Sequence, residues 1–201
     1  MTIKSTLKVC LASTMLLASQ AFAEPLTWQY IDFRYLQPSD TDTRGLSGEV
    51  SGHITTNWLL QGRVSRLELE EKDLDLEMSQ TRYDLMVGRV FPFGEKYAAF
   101  LSAGYTHLDY ATNIGTLDED ESTDAANVQA LMRARFTKRF EAEGGLGILI
   151  DDKDTSDLVW NVGLRFWATD SISLMIGANG IDSEDFADDI LYEIGFRYDL
   201  R

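Results

Sequence analysis

Ten stretches of this sequence place an apolar residue at almost every second position, and this period of two constrains the fold more than any other feature. In a β-strand, successive side chains point to opposite faces, so each stretch has one apolar face and one polar face. The alternation therefore predicts an all-β chain. The ten stretches cover residues 26–36, 46–55, 58–70, 74–90, 97–110, 125–136, 140–150, 157–168, 172–181 and 189–200.

The connections between these stretches alternate between short turns and longer, acidic segments. Strands of about ten residues, joined by short turns at one end and long loops at the other, are typical of a transmembrane β-barrel. A soluble β-sandwich has no reason to sort its loops by length in this way. We therefore predict an antiparallel up-and-down transmembrane barrel of ten strands, with eight strands as the alternative if two weak segments belong to loops. The short connections are 56–57, 91–96, 137–139 and 169–171, and the long ones are 37–45, 71–73, 111–124, 151–156 and 182–188.

The first 23 residues have the layout of a cleaved secretory signal. Two lysines precede an apolar run over 9–18, and the small-residue sequence Ala-Phe-Ala follows at 21–23. The apolar run is too short to cross a bilayer as a helix. We therefore predict a signal peptide over 1–23 and a barrel domain over 24–201. Cys10 lies in the signal, so the mature chain has no disulfide framework.

The last stretch carries the most specific motif of the sequence. In DILYEIGFRYDLR, a polar residue, a glycine and two hydrophobic residues follow a fixed spacing at Glu193, Gly195, Tyr198 and Leu200. This pattern resembles the C-terminal assembly signal of small bacterial outer-membrane β-barrel proteins. The resemblance implies a Gram-negative outer-membrane location, contact with outer-membrane lipid, and insertion by the barrel-assembly machinery through the C-terminal strand. It also implies that the short turns face the periplasm and the long loops face outwards.

The polar faces of the strands carry as many acids as bases. A narrow barrel must pair such charges, because an unpaired buried ion costs several kcal/mol. The bases are all arginines, whose planar fork suits paired carboxylates. A ten-stranded barrel is also close to the size that its own side chains fill, which argues against an open pore. The acids are Asp32, Glu49, Asp84, Glu141, Glu143, Glu193 and Asp199, and the arginines are Arg34, Arg63, Arg82, Arg133, Arg135, Arg165 and Arg197.

The short turn between the sixth and seventh stretches fixes which inward residues of these two strands lie opposite each other. It places Arg135 opposite Glu141 and Arg133 opposite Glu143. We therefore predict two cross-strand ion pairs near the short-turn end of the barrel.

The segment RLELEEKDLDLEM, residues 66–78, alternates leucine with acid on both sides of a short charged turn. Counting in twos from the lumenal Arg63 and Arg82 places its apolar side chains on the lumenal side. We predict that these side chains cap the barrel mouth, and the alternative is a contact surface for an apolar ligand. The cap residues are Leu67, Leu69, Leu74, Leu76 and Met78.

The long loops contain most of the acids of a chain whose formal net charge is −15. The segments LDEDESTD at 117–124 and DDKDTSD at 151–157 offer carboxylate oxygens, which are ligands for divalent cations. They lack the ligand spacing and the glycine of an EF-hand loop. We therefore predict solvated acidic loops, with divalent-cation binding as the alternative. The negative charge also argues against nucleic-acid binding.

Few residues of the sequence are candidates for acid/base catalysis or metal binding. His53 and His107 should lie roughly 20 to 25 Å apart along the barrel, so they cannot share a site. His107 with Asp109, beside Asn127 and Gln129 of the next strand, is the one candidate acid/base group. The sequence shows no phosphate-binding loop and no pair of cysteines or histidines at metal-ligand spacing.

These observations favour a non-enzymatic barrel with a structural or surface-interaction role, and we predict no cofactor. A narrow passive channel for small solutes is the first alternative. A hydrolase at the outer rim, based on His107, is the second.

Overall fold

The computed structural model describes residues 26–39, 43–71, 76–114, 117–151, 155–182 and 190–200. The signal peptide predicted over 1–23 lies outside these residues, so it stays a prediction. None of the described segments forms a helix that is long and apolar enough to cross a bilayer.

Ten antiparallel strands form one closed barrel, in which each strand pairs with its neighbours in sequence and β1 pairs with β10. The up-and-down barrel of ten strands is thereby confirmed, and the eight-stranded alternative is wrong. The strands are β1 (Tyr30–Pro38), β2 (Arg44–Thr55), β3 (Trp58–Glu71), β4 (Leu76–Pro92), β5 (Tyr97–Ile114), β6 (Leu117–Arg135), β7 (Phe140–Asp151), β8 (Ser156–Trp167), β9 (Ile172–Asp182) and β10 (Ile190–Asp199).

The two ends of the barrel differ. The turn end carries the short connections 56–57, 93–96, 136–139 and 168–171, and it also receives the start of β1 and the end of β10. The opposite end, here called the hairpin end, carries the longer excursions of β3–β4 and β5–β6. This sorting of connections by length matches the alternation of short and long connections in the sequence.

The acidic segment 111–124, predicted as a loop, is mostly strand. β5 continues to Ile114 and β6 begins at Leu117, so the two strands form one long hairpin that extends past the rest of the barrel. The prediction missed this extension because it relied on apolar alternation. Beyond the barrel wall, water reaches both faces of a hairpin, so no face has to be apolar there.

Outward side chains of the barrel wall are apolar and exposed, which is the reverse of a soluble protein. The inward side is lined by buried polar and charged groups, among them Asp32, Asn127 and Arg165. The outward apolar band includes Leu46, Val50, Leu60, Val64, Leu85, Leu101, Val128, Leu146, Ile148, Leu164, Ile176 and Ile194.

Candidate functional site

The lumen is built in layers, and strand β3 passes through all of them. Its inward residues at every second position are Leu59, Gln61, Arg63, Ser65 and Leu67, in order from the turn end to the hairpin end. The lumen correspondingly has an apolar layer at the turn end, charged and polar groups in the middle, and leucines towards the hairpin end.

A buried apolar cluster, here called the floor, lies at the turn end of the lumen. It consists of Trp28, Leu59, Val90, Ala98 and Phe100, which form one buried cluster contributed by the chain before β1 and by β3, β4 and β5. The ring centroids of Trp28 and Phe100 are 5.4 Å apart. Trp28 therefore packs against the inward side chains of β3, β4 and β5 at this end of the lumen.

The chain before β1 supplies the centre of the floor, although the sequence predicted it as part of the first strand. The strand begins at Tyr30, and Trp28 lies against the far wall with the Arg133 guanidinium 4.6 Å from its ring centroid. Nη1 of Arg133 also donates a hydrogen bond to the Thr27 carbonyl at 2.6 Å, and the Thr27 hydroxyl donates to Asp199. The prediction missed the floor because the chain before β1 alternates apolar and polar residues in the same way as a strand. Only the contacts that Trp28 makes across the lumen show that this segment is not part of β1.

At the same end of the lumen, Glu141 joins two arginines. Its carboxylate accepts hydrogen bonds from Nε of Arg133 at 2.7 Å and from Nη2 of Arg135 at 2.9 Å. The register pairs Arg133 with Glu143 and Arg135 with Glu141, as the sequence predicted. The predicted ion pair between Arg133 and Glu143 is nevertheless wrong.

The partner of Glu143 is Arg165 of β8, whose Nη2 lies 3.0 Å from the carboxylate. Arg133 and Arg165 both reach the carboxylate that lies diagonally across from them, because long side chains extend to diagonal neighbours in a sheet. Direct register alone therefore does not determine which charges pair in the lumen.

The remaining lumenal charges form a second group near β1. Arg197 Nη2 lies 2.8 Å from Asp32, and Arg34 Nη1 lies 2.9 Å from Glu193. Each of the seven arginines predicted inside the barrel has a carboxylate within ion-pair distance. Asp199 differs from the other acids, because its hydrogen bond in the described part of the chain comes from Thr27. The charged side chains of the lumen, here called the charge layer, are thus extensively paired, as a narrow lumen requires.

A cavity of about 180 Å³ lies in the lumen, and its lining extends from Phe100 of the floor to Leu67 and Leu191 towards the hairpin end. Its wall combines apolar side chains with amides, arginines and glutamates. The residues on which the argument below depends are Leu36, Leu67, Leu191, Gln61, Arg63 and Arg82.

The predicted cap residues have different positions. Leu67 is half-buried and lines the cavity, and Met78 is 42% exposed. The side chains of Leu69 and Leu76, and the whole of Leu74, lie outside the described part of the chain. For these three residues the cap stays a prediction.

On the outer face of the barrel, His107 lies between two carboxylates. Its Nδ1 is 2.6 Å from Asp124 and its Nε2 is 3.0 Å from Asp109. The Tyr105 hydroxyl donates a hydrogen bond to Asp124, and the Tyr105 ring stacks on the imidazole at an interplanar angle of 11°. Four side chains of β5 and β6 therefore form one hydrogen-bonded cluster at the surface.

The predicted neighbours of His107 are wrong. Asn127 is buried in the lumen, where its amide donates to the Thr106 hydroxyl at 3.1 Å, and the residue opposite His107 is Asp124. Because successive residues of a strand point to opposite faces, the inward Thr106 requires His107 to point outwards. Among the described residues, no group of three or more His, Cys, Asp or Glu side chains is arranged to hold a metal ion.

A family model described as "Outer membrane protein beta-barrel domain" matches residues 9–199, which is nearly the whole chain. The chain belongs to this family. A direct comparison with curated proteins finds no match. The exposed apolar band of this outer-membrane barrel is thus its lipid-facing surface.

Several solved barrels are similar in fold. The KdgM porin in complex with disordered oligogalacturonate is 12% identical, with 86% of this chain and 99% of that chain covered and a TM-score of 0.48. The NanC porin is 9% identical, with coverages of 85% and 100% and a TM-score of 0.48. The attachment invasion locus protein Ail of Yersinia pestis is 14% identical, with coverages of 85% and 95% and a TM-score of 0.44.

The His107 cluster lies beyond the membrane-spanning part of this outer-membrane barrel. On β5 the outward apolar residues run from Tyr97 to Tyr105, about the height of the apolar band of such barrels, and His107 follows next. The hydrogen bond with Asp124, helped by the charge of Asp109, raises the pKa of His107 above its ordinary value. The contact therefore stabilises the β5–β6 hairpin below the ordinary histidine pKa, and the stabilisation is lost as pH rises through the raised pKa.

Replacing Asp124 by asparagine should lower the pKa of His107 towards its ordinary value, because the strongest partner of the imidazolium loses its charge. The titration of the imidazole ring protons by NMR measures this change directly. Asp120→Asn removes an exposed acid from the same strand, away from the imidazole, and should leave the titration nearly unchanged. Equal shifts in both variants would contradict the assigned contact.

Proposed function

We propose that this barrel is a non-enzymatic, closed outer-membrane protein with a structural or surface-interaction role. The apolar floor is the observation that carries the proposal. Its five residues are each no more than 7% exposed, and they pack together at the turn end of the lumen. A passive channel would need a continuous water path at this level.

The charge layer supports the same conclusion. Glu141 and its arginines lie beside the floor, since Arg133 is opposite Ala98, and each of these side chains is held by more than one contact. An ion crossing this layer would have to separate paired charges that are shielded from water, which is costly at low dielectric constant. The runner-up function, a narrow passive channel for small solutes, therefore has less support than a closed barrel.

The surface-interaction role rests on the charge of the hairpin end, which in our proposal faces outwards from the cell. Exposed acids there include Glu68, Asp109, Asp120 and Glu121. Such a surface favours basic partners and disfavours nucleic acid. Divalent cations could bridge it to anionic lipid headgroups. The proposal also includes the cleaved signal peptide and assembly through the C-terminal strand.

The surroundings of His107 support a non-enzymatic role. Each ring nitrogen is occupied by a carboxylate, Asp124 on one side and Asp109 on the other. A general base needs a free nitrogen within hydrogen-bond reach of the proton that it removes. The rim-hydrolase alternative therefore lacks a specific observation in its favour.

Single-protein recordings in planar lipid bilayers test the proposal. Purified, folded barrel should insert and show conductance close to background, because the floor and the charge layer close the lumen. Insertion is verified independently by the gel-mobility difference between boiled and unboiled protein. A large and stable conductance of the unmodified barrel would overturn the proposal and favour the channel.

A further inference from the structure

We propose that the lumenal cavity is a binding site for a small carboxylate anion that carries a short apolar chain. This inference goes beyond the proposed function, since it concerns what occupies the lumen above the closed floor. It rests on the placement of two arginines and a group of leucines on the cavity wall.

The two arginines are held in place by buried carboxylates. Arg63 donates to Glu49 through Nε, at 2.7 Å, and through Nη2. Arg82 donates to Asp84 through Nε at 3.0 Å and through Nη2 at 2.9 Å. Within the described part of the chain, Nη1 of neither arginine makes a hydrogen bond. Both arginines line the cavity, so each guanidinium keeps donors for a ligand there.

The charged side chains that line the cavity are mostly positive, with five arginines and three glutamates: Arg34, Arg63, Arg82, Arg133 and Arg197 against Glu49, Glu143 and Glu193. The side chains of Arg63 and Arg82 are 38% and 19% exposed, whereas those of Glu49 and Asp84 are only 5% and 7% exposed. Asp84 does not line the cavity, and Glu49 lines it but is more deeply buried than the guanidinium group of Arg63. The accessible face of the site thus presents guanidinium groups.

The two guanidinium groups can act on one ligand. In the pairing of β3 with β4, Arg63 lies opposite Asp84 and Arg82 lies opposite Ser65, so the arginines are diagonal neighbours on one face of the sheet. Long side chains at diagonal positions reach one another. A carboxylate has two oxygens and can accept hydrogen bonds from both forks. Gln61, two residues before Arg63 on the same face, adds an amide to this part of the wall.

One apolar part of the wall lies closer to the hairpin end than the two arginines. Leu67 follows Arg63 by four residues on the same inward face. Gly45 of β2 is paired with Leu36 of β1 on one side and with Leu67 of β3 on the other. A Cβ added to Gly45 would lie 2.6 Å from Cδ2 of Leu67. Because Gly45 has no side chain, Leu67 can lie over the backbone towards Leu36. With Leu191, these leucines form an apolar wall above the arginines.

The size of the cavity limits the ligand. An apolar cavity of about 150 Å³ accommodates benzene, so the 180 Å³ cavity suits a molecule slightly larger than benzene. Hexanoate has this size, with an anionic group for the arginines and an apolar chain for the leucines. The acids of the hairpin end repel anions at a distance, so binding is best measured near 0.15 M salt, where such repulsion is screened beyond about 8 Å.

A ligand-observed NMR titration tests the proposal on the folded full-length barrel in nonionic detergent. Hexanoate should bind saturably, whereas hexan-1-ol and hexylammonium, which have the same chain with a neutral or a cationic group, should bind at least tenfold more weakly. Arg63→Gln and Arg82→Gln should each weaken hexanoate binding about tenfold, since hydrogen bonds to a charged group are worth 1.5 kcal/mol or more.

Arg66→Gln is the matched control, because Arg66 is on the same strand, exposed on the outer face and paired with Glu68. It should leave the affinity for hexanoate unchanged. Leu67→Ser keeps both arginines and should weaken hexanoate binding several-fold, which provides a second test if an arginine variant does not fold. Absence of saturable binding to the wild type would overturn the proposal. So would hexan-1-ol or hexylammonium binding as tightly as hexanoate, or an equal loss in R66Q and R63Q.

Discussion

Replacing Glu141 by glutamine should destabilise the folded barrel by about 3–5 kcal/mol, which is the cost of removing one partner from a buried ion pair. Glu141 is 1% exposed and neutralises both Arg133 and Arg135, and Arg165 lies 3.8 Å from the same carboxylate. Glutamine keeps the shape of the side chain but not its charge. The guanidinium groups would then remain buried with too little negative charge.

Urea unfolding of the barrel in lipid vesicles, followed by gel mobility, measures this loss. Glu68→Gln is the matched control, because Glu68 forms an ion pair with Arg66 in which both side chains are more than half exposed. Exposed pairs contribute at most about 1 kcal/mol, so this variant should unfold almost like the wild type. Similar losses in E141Q and E68Q would contradict the role assigned to the charge layer.

Replacing Trp28 by alanine should open the floor. The indole packs against Phe100 and lies over the Arg133 guanidinium, so its removal leaves a cavity between the two. Truncation of a buried tryptophan costs about 3–5 kcal/mol. We also expect water to enter at the turn end and the bilayer conductance to rise above that of the wild type.

Trp58→Ala is the control for this experiment, because Trp58 is 46% exposed on the outer surface near the same end. It removes the same side chain without opening the lumen, and conductance should stay at the wild-type level. If W28A lost no stability and conducted no better than W58A, Trp28 would not be the centre of the floor.

The amino-acid sequence alone predicted which residues face inwards. The charged positions predicted for the lumen include Asp32, Glu141 and Arg197, and all three are almost fully buried inside the barrel. The prediction worked because the period of two is a local property of a strand, and lipid and lumen select opposite kinds of side chain. The same logic predicted Leu67 on the cavity side.

The limits of the barrel wall were predicted less well. The alternation ended near Tyr110, yet β5 continues to Ile114 and β6 begins at Leu117. Where both faces of a hairpin meet water, polar residues occupy both, and no periodic signal remains. The outward direction of His107 could have been found from its phase relative to Thr106, but its partner Asp124 became evident only with the register of β5 and β6.

Closure of the sheet decided the rest. Periodicity assigns a side chain to a face, but it does not say which side chains meet across a lumen formed by ten strands. Arg133 binds Glu141 and leaves Glu143 to Arg165 of another strand, and Trp28 packs against Phe100 from the opposite wall. These contacts depend on barrel diameter, strand tilt and the reach of long side chains, which are properties of the closed barrel. Sequence thus determined the strands and their faces, whereas the tertiary structure determined the ion pairs, the floor and the cavity.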